Sequence, residues 1–337
     1  MSAPIKLPAN QPPQFYRGGA AIAALRGMSD SDSEFGPEDW VASTTTLYGQ
    51  AENGLTRLPD GRMLREAVTA DPERWLGARH VAAFADSTAL LVKLLDAGQR
   101  LPVHFHPSDS FARKHFDSHF GKTEAWIVVG TSGPDPRVYP GFRETVPSAT
   151  VGEWVRDQDR DAMLGALNSV EVRAGDTVYI PAGLPHAIGE GVFVVELQQP
   201  TDFSLTLEWR DFLADQDKAH LGIGFDTALE ALDTTARDPE TLIKRTAALD
   251  EPTVDLLAEG ASPFFRADRL RPAPALALDA SFAVLVVLDG EGTLRTEHGG
   301  DLELSKGDTL VVPHAAGQTE VSGGLTIIRC RPPELGS

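Results

Sequence analysis

Cysteine is almost absent from this chain of 337 residues, which contains only Cys330. An intramolecular disulfide is therefore excluded, and we expect a reducing compartment, as for a cytoplasmic protein. Long apolar runs are missing too: no stretch approaches the roughly 18 consecutive apolar residues of a membrane span. The segment from Met1 to Gln14 has neither the basic nor the apolar region of a secretory signal. We therefore expect no membrane partner.

Positive charge is also scarce. The chain has 30 lysines and arginines against 49 aspartates and glutamates, giving a net charge of −19, and it contains no basic run. An acidic surface repels phosphate backbones, so nucleic-acid binding is not expected. An anionic substrate would have to be met by cations placed locally in its site.

The chain is rich in turn signals and short apolar runs. Its 31 glycines and 24 prolines are scattered between short segments of strand composition, and 42% apolar residues suffice for a core. The segments predicted as strands in the first half are 38–45, 89–96, 102–106, 125–129, 170–172, 177–181 and 191–199. A helix is predicted between them over 151–167. Several short strands with glycine turns favour a barrel or a sandwich.

An internal repeat indicates two barrels of one kind. The run Gly175 to Pro181 matches Gly307 to Pro313 at a separation of 132 residues (307 − 175). Between the two copies, apolar spacing at Phe225 to Leu232 and at Leu242, Ile243 and Ala247 predicts helices. We therefore predict a first barrel with its N-terminal arm over 1–210, a helical connector over 211–262, and over 263–337 a second barrel without metal ligands.

A metal site is predicted in the first barrel. Its candidate ligands, carried on strand-like segments closed by glycine turns, are His104, His106, Glu124 and His186. Because residues i and i+2 of a strand face the same side, His104 and His106 point inward together. Three imidazoles and a carboxylate suit zinc, manganese, iron or nickel better than calcium or magnesium.

Two motifs frame these ligands: Gly98-x5-His104-x-His106 followed by Glu124, and Gly175-x5-Pro181-x-Gly183-x2-His186. They resemble the two metal half-motifs of the cupin superfamily, which implies double-stranded β-helix barrels and a mainly β fold. Longer runs are similar to the type I mannose-6-phosphate isomerases, and this similarity extends over nearly the whole chain. These runs are 90–97, 106–109, 121–126, 180–189 and 197–199.

That resemblance implies a zinc enzyme that interconverts an aldose phosphate and a ketose phosphate. Carried onto this sequence, the metal ligands are the four residues above, and the pocket residues are Glu38, Lys93, Lys122 and Glu196. Moving a proton between C1 and C2 of a sugar requires a carboxylate base, for which Glu196 is preferred to Glu38. Lys93 and Lys122 are the cations for an oxyanion or a phosphate. Solvated positions for Glu38 and Lys122 remain alternatives.

The sequence departs from the family pattern at three places. His104 stands where the family has a metal-binding glutamine, which could change the metal preference. Thr206 stands where the family has an active-site arginine. Strand alternation would place Arg210 on the same face as Thr206, so Arg210 is a candidate replacement or a surface cation. Arg17 replaces a family tryptophan and could carry charge to the pocket mouth or tether the arm.

Four functions are compatible with these observations. The first is isomerisation of a sugar phosphate, with mannose 6-phosphate and fructose 6-phosphate as the expected pair. The second is isomerisation of free sugars such as mannose, lyxose or fructose, which loss of the arginine favours. The third is a metal-bearing barrel that binds sugar without turnover. The fourth is a metal-dependent dioxygenase, which His104 suggests because it makes the ligand set more like that of a generic cupin. The oligomeric state cannot be inferred from the sequence.

Overall fold

The protein is built from two β-barrels, each made of two antiparallel sheets. The structure is a computed structural model that describes residues 2–29, 34–246 and 250–335. The prediction of a mainly β chain with two cupin-type barrels is confirmed. In the described ranges, no helix has the length and apolar character needed to cross a bilayer.

The first barrel has a six-stranded and a five-stranded sheet. In spatial order, the larger sheet contains β12 (Ile243–Arg245), β8 (Asp176–Ile180), β5 (Glu124–Thr131), β10 (Val192–Gln198), β3 (Leu91–Asp96) and β2 (Glu38–Val41). The smaller sheet contains β11 (Leu205–Thr206), β4 (His104–Phe105), β9 (His186–Ile188), β6 (Arg137–Pro140) and β7 (Val170–Glu171). All residues of β3 and β10 are buried, which explains their nearly continuous apolar sequences.

The second barrel repeats this strand order. Its larger sheet contains β1 (Ile5–Lys6), β19 (Thr309–Val312), β16 (Ala283–Asp289), β21 (Thr326–Arg331), β14 (Arg266–Leu270) and β13 (Thr253–Asp255). Its smaller sheet contains β15 (Ala275–Leu278), β20 (Thr319–Gly323), β17 (Glu291–Thr296) and β18 (Gly300–Ser305). The two repeated segments form β8 and β19, which occupy the same place in their sheets. Each follows a glycine of positive φ, Gly175 at 93° and Gly307 at 87°, so both turns favour glycine.

Nine α-helices of four to ten residues connect the described strands. They are α1 (Ala20–Arg26), α2 (Leu64–Ala70), α3 (Pro72–Leu76), α4 (Ala78–Phe84), α5 (Asp109–Phe116), α6 (Ser148–Asp157), α7 (Arg160–Ala166), α8 (Gln216–Ala219) and α9 (Phe225–Ala228). The region 151–167 is helical as predicted, but it forms two helices, α6 and α7, rather than one. Gln158 adopts a left-handed conformation and separates α6 from α7, and its side-chain amide donates to the carbonyl oxygens of Val155 and Leu207.

The segment predicted as a helical connector is only partly helical. It contains α8, α9 and short 3-10 turns, but also β12 and β13. Leu242 and Ile243 were predicted to be helical, whereas Ile243 begins β12 and pairs with Val178 of β8; Ala247 lies outside the described residues. The helical prediction was wrong here because an open edge of the first barrel supplies a pairing partner that local spacing does not reveal. The division of the chain into three domains stays a prediction.

The N-terminal arm of the chain crosses to the second barrel. β1 comes from the N-terminal arm but pairs with β19 of the second barrel, in the place that β12 takes beside β8 in the first. Buried apolar residues of both barrels also belong to one continuous core; among them are Ile127, Val195, Val284 and Ile328. The first barrel therefore rests on the second barrel rather than standing alone.

Candidate metal centre and catalytic cavity

The three predicted histidines meet at one point inside the first barrel. His104 on β4 lies directly opposite His186 on β9, and His106 follows β4 by one residue. One nitrogen from each ring can be chosen so that all three lie within 4.8 Å of one another. The i, i+2 reasoning that placed His104 and His106 on one side is consistent with this cluster.

The hydrogen bonds of the rings leave the same nitrogen free in each case. Nδ1 of His104, His106 and His186 lies 2.8 Å from the carbonyl oxygens of Pro102, Phe203 and Leu184, respectively. With Nδ1–H donating to a carbonyl, Nε2 carries the lone pair, which is the arrangement that orients metal-binding histidines. Nε2 of both His106 and His186 is buried and has no hydrogen-bond partner in the described part of the chain. Such orphaned acceptors fit a metal ion.

Burial also keeps these rings in the form that binds metals. It lowers the pKa of His106 to about 3, with the charge of Lys122 adding to the effect. The pKa of His104 is held well below its ordinary value, first by burial and then by the neighbouring histidines. Both rings are therefore neutral near pH 7, as metal ligation requires.

Glu124, at the start of β5, completes the predicted ligand set. Its Oε2 lies 3.1 Å from Nε2 of His106, and its Oε1 lies 3.2 Å from Nε2 of His186. The indole of Trp126 donates to Oε1 at 3.1 Å, which orients the carboxylate. Burial would raise the pKa of Glu124, but His106 and Lys122 hold it well below its usual range. The carboxylate is thus ionised beside the neutral rings of His104 and His106.

A cavity of about 660 Å³ opens beside this cluster. His104 and Glu124 line it, as do four of the five predicted catalytic residues: Glu38, Lys93, Lys122 and Glu196. All four are buried. The open alternatives for Glu38 and Lys122, a solvated edge strand and an exposed turn, are therefore wrong. Lys122 lies 3.5 Å from Oε2 of Glu124, next to the candidate metal ligands.

Glu38 on β2 and Lys93 on β3 form a buried ion pair at 3.3 Å. Tyr16 donates its hydroxyl proton to Oε1 of Glu38, and the indole of Trp40 donates to Oε2 at 2.6 Å. Burial would raise the pKa of Glu38, but Lys93 and these two hydrogen bonds lower it overall. Lys93 also lies 4.6 Å from the centre of the Trp40 ring. Glu38 is therefore an ionised, fully engaged carboxylate that holds Lys93.

Glu196 on β10 has the opposite environment. Its backbone lies beside Lys93 on one neighbouring strand and beside Trp126 on the other. Among the residues that the structure describes, none donates a hydrogen bond to its carboxylate. Burial, and then the charge of Glu124, raise the pKa of Glu196 to about 8. A carboxyl group without protein partners, with a raised pKa and facing a cavity, is suited to move a proton.

Arg210 does not lie where strand alternation predicted. β11 ends at Thr206 and the chain bends, so Arg210 is exposed and packs over the ring of Trp209, 5.8 Å from its centre. Arg17 is also exposed, 3.9 Å from Glu34. Neither arginine lines the cavity, whereas Thr206 does. Arg210 is therefore a surface cation rather than a replacement for the family arginine.

Tyr16 and Asp202 are among the ionisable residues of the cavity that were missed from the sequence. Tyr16 binds Glu38, as described above. Asp202 lies near Lys93 and Lys122, and its carboxylate accepts the backbone N–H of Tyr48 at 3.0 Å. Burial raises its pKa despite the two lysines. Only the resemblance could have pointed to Asp202, since it lies in the run aligned with the family arginine motif. Tyr16 had no local signal beyond its position before a Gly-Gly pair.

Comparisons with known proteins agree with the fold. A family model described as "Mannose-6-phosphate isomerase, cupin domain" matches residues 268–332, within the second barrel. A mannose-6-phosphate isomerase of Streptococcus mutans is 28% identical over 305 residues, covering 89% of each chain. Another from Bacillus subtilis is 28% identical over 262 residues, covering 74% of this chain and 78% of the relative.

Solved structures show the same fold at lower identity. Mannose 6-phosphate isomerase from Bacillus subtilis superposes with a TM-score of 0.76 at 22% identity, covering 98% of this chain and 99% of that one. The apo form of the enzyme from Salmonella typhimurium gives a TM-score of 0.74 at 15% identity, covering 99% and 100%. The chain is therefore similar in sequence to mannose-6-phosphate isomerases over most of its length and shares the fold of their solved structures.

Proposed function

We propose that this protein is a metal-dependent aldose–ketose isomerase that moves a proton between C1 and C2 of a sugar through an enediol. The observation that carries the proposal is the meeting, beside one cavity, of three imidazoles, the ionised carboxylate of Glu124 and the carboxyl group of Glu196, which accepts no hydrogen bond from the described residues. The curated relatives are named for mannose 6-phosphate, so that ester and fructose 6-phosphate are the first substrates to test. Free mannose, lyxose and fructose are the second.

The roles follow from the contacts. His104, His106, Glu124 and His186 would hold the metal, zinc by family resemblance with manganese, iron or nickel as alternatives; when bound, it would supply Lewis-acid polarisation of the sugar oxygens. Glu196 would take the proton from one carbon and return it to the other. Lys93 and Lys122 point positive charge at the cavity, where it would stabilise the enediolate oxygen. Glu38 and Tyr16 are positioning residues that hold Lys93.

Activity assays on the full-length protein test this proposal. The metal-loaded chain should interconvert an aldose with its ketose, and His186→Ala should lose both bound metal and activity. Glu196→Gln should keep the metal and the fold but lower kcat by roughly a hundredfold to ten-thousandfold, the usual worth of a general base.

Glu208→Gln is the matched control, because Glu208 is equally buried but binds Arg100 outside the cavity. The Glu208→Gln variant should lower the free energy of unfolding but leave kcat of the folded protein unchanged. Absence of turnover with zinc, manganese, iron and nickel would reject the isomerase. Oxygen consumption, or sugar binding without turnover, would then point to the other cupin functions.

A further inference from the structure

The charges around the cavity point to a substrate class. Five acidic residues line it against three lysines; the acidic residues are Glu38, Glu124, Glu196, Asp202 and Asp217, and the lysines are Lys93, Lys122 and Lys218. No arginine of the described ranges lines it. With a divalent cation on the histidines, the three lysines and the cation would balance the five carboxylates when Glu196 is ionised. No excess positive charge would then remain for a phosphate dianion.

The two buried lysines are already engaged. Lys93 lies 3.3 Å from Glu38, and Lys122 lies 3.5 Å from Glu124. Burial alone would lower the pKa of Lys93, but the charges of Glu38 and Glu196 raise it above its ordinary value. Each lysine keeps N–H donors for a single developing oxyanion, but its charge is already balanced by a buried carboxylate, which leaves little net attraction for a phosphate dianion. The third lysine, Lys218, is exposed and adjacent in sequence to the exposed Asp217.

The remaining walls are neutral. Ser204 and Thr206 present hydroxyl groups from the region of β11, and Gln14 and Gln50 present amides. Two half-exposed aromatic rings, Phe15 and Tyr48, also line the cavity; Phe15 packs edge-on against Phe212, and Tyr48 against Phe203. Hydroxyl groups, amides and carboxylates exchange hydrogen bonds with sugar hydroxyls, and ring faces suit the apolar side of a sugar. Phosphate recognition instead relies on cationic donors.

We infer that the cavity is built for an aldose and ketose without a phosphate group. This inference rests on the proposed function and names its substrate class. The engagement of both buried lysines by carboxylates, the exposed position of Lys218 and the hydroxyl group at Thr206 together carry it.

The test compares free mannose with mannose 6-phosphate on the same metal-loaded, full-length protein. We expect kcat/KM for mannose to exceed that for the ester by about tenfold or more, the factor that one charge-assisted hydrogen bond is typically worth. KM for mannose should not change with sodium chloride concentration, and inorganic phosphate should not inhibit. A higher kcat/KM for the ester, with competitive inhibition by inorganic phosphate, would overturn the inference. A rise of KM for the ester in Lys218→Ala would then identify Lys218 as the anion-binding residue.

Two matched variants at Thr206 test whether a cation at this uncharged position changes the substrate preference. Thr206→Arg should raise kcat/KM for mannose 6-phosphate relative to mannose, whereas Thr206→Gln should leave that ratio unchanged. Circular dichroism would verify that both are folded.

Failure of the function and failure of the inference are separable. If neither substrate turns over, the isomerase is rejected. Calorimetric titration of metal-loaded Glu196→Gln with mannose and with inorganic phosphate then decides the binding preference alone, and binding of phosphate but not mannose would overturn the inference.

Discussion

At the residue scale, the carboxyl groups that line the cavity differ in their hydrogen-bond and ion-pair partners. Glu38 accepts hydrogen bonds from Tyr16 and Trp40 and pairs with Lys93, whereas Glu196, a short distance away, has no donor among the described side chains. Their pKa values therefore move in opposite directions, down for Glu38 and up to about 8 for Glu196. Such a split between neighbouring carboxyl groups is the usual mark of different roles in proton transfer.

The raised pKa of Glu196 predicts a pH-dependent stability in the metal-free protein. Because the folded state binds this proton more tightly than the unfolded state, with its pKa near 4.5, the favourable contribution is complete below pH 4.5 and is lost as pH rises to about 8. Glu196→Gln removes this term. The unfolding free energy of the variant minus that of the wild type should therefore rise by about 3–5 kcal/mol from pH 5 to pH 9, because only the wild type is destabilised in this range. Urea denaturation at several pH values measures it, and a pH-independent difference would contradict the assignment.

The buried Lys93–Glu38 pair predicts strong coupling between its members. Lys93→Met leaves Glu38 charged and buried without its ion pair, which should cost about 3–5 kcal/mol of unfolding free energy. Lys93→Met/Glu38→Gln should recover part of that loss, as a double-mutant cycle in urea would reveal. The exposed pair Arg295–Asp301 is the control, and Arg295→Met should cost less than about 1 kcal/mol. Additive effects at Lys93 and Glu38 would contradict the coupling.

At the scale of elements, the larger sheet of each barrel has one edge strand that comes from a distant part of the chain. β1 covers the edge of β19 through paired residues Ile5 with Val311 and Lys6 with Leu310, and β12 covers the edge of β8. Leu7 extends the first pairing by donating its N–H to the carbonyl of Thr309 at 2.9 Å. An uncovered edge strand exposes its backbone groups to water and to other chains, so both additions protect a barrel.

Deleting residues 1–7 should therefore loosen the second barrel at one strand. Hydrogen exchange of the β19 amides should accelerate by about tenfold or more, because pairing with β1 is lost. The amides of β8, covered by β12, are the internal control and should keep their protection. Unchanged exchange in β19 would show that β1 contributes nothing to that edge.

At the scale of the whole molecule, one apolar core joins the barrels, which predicts a single cooperative unfolding transition. The chain offers a clean test, since all five tryptophans precede position 210: Trp40, Trp75, Trp126, Trp154 and Trp209. Tryptophan fluorescence therefore reports mainly on the first barrel, with Trp75 on α3 next to the turn His314–Ala316 of the second, and far-UV circular dichroism reports on both barrels. The two thermal midpoints should coincide, and a divalent metal bound at the histidine cluster should raise them together. Separate midpoints would mean independent barrels.

The sequence by itself determined the features that depend on local spacing. The alternation at His104 and His106, the glycine turns before β8 and β19, and the repeat at 132 residues are properties of short segments, and each corresponds to a feature of the structure. Glu196 and Lys93 could be selected because charges within apolar strands are rarely tolerated without a purpose.

Only the tertiary structure decided the features that depend on distant pairing. The strand over Ile243–Arg245 required an open edge of the first barrel, and the exposed position of Arg210 followed from a bend after β11 that alternation did not anticipate. The partners of Glu38 were equally hidden, since Tyr16 and Lys93 lie 22 and 55 residues away along the chain (38 − 16 and 93 − 38). Which charges neutralise one another is set by the register of β2 on β3, and that register arises from packing rather than from local sequence.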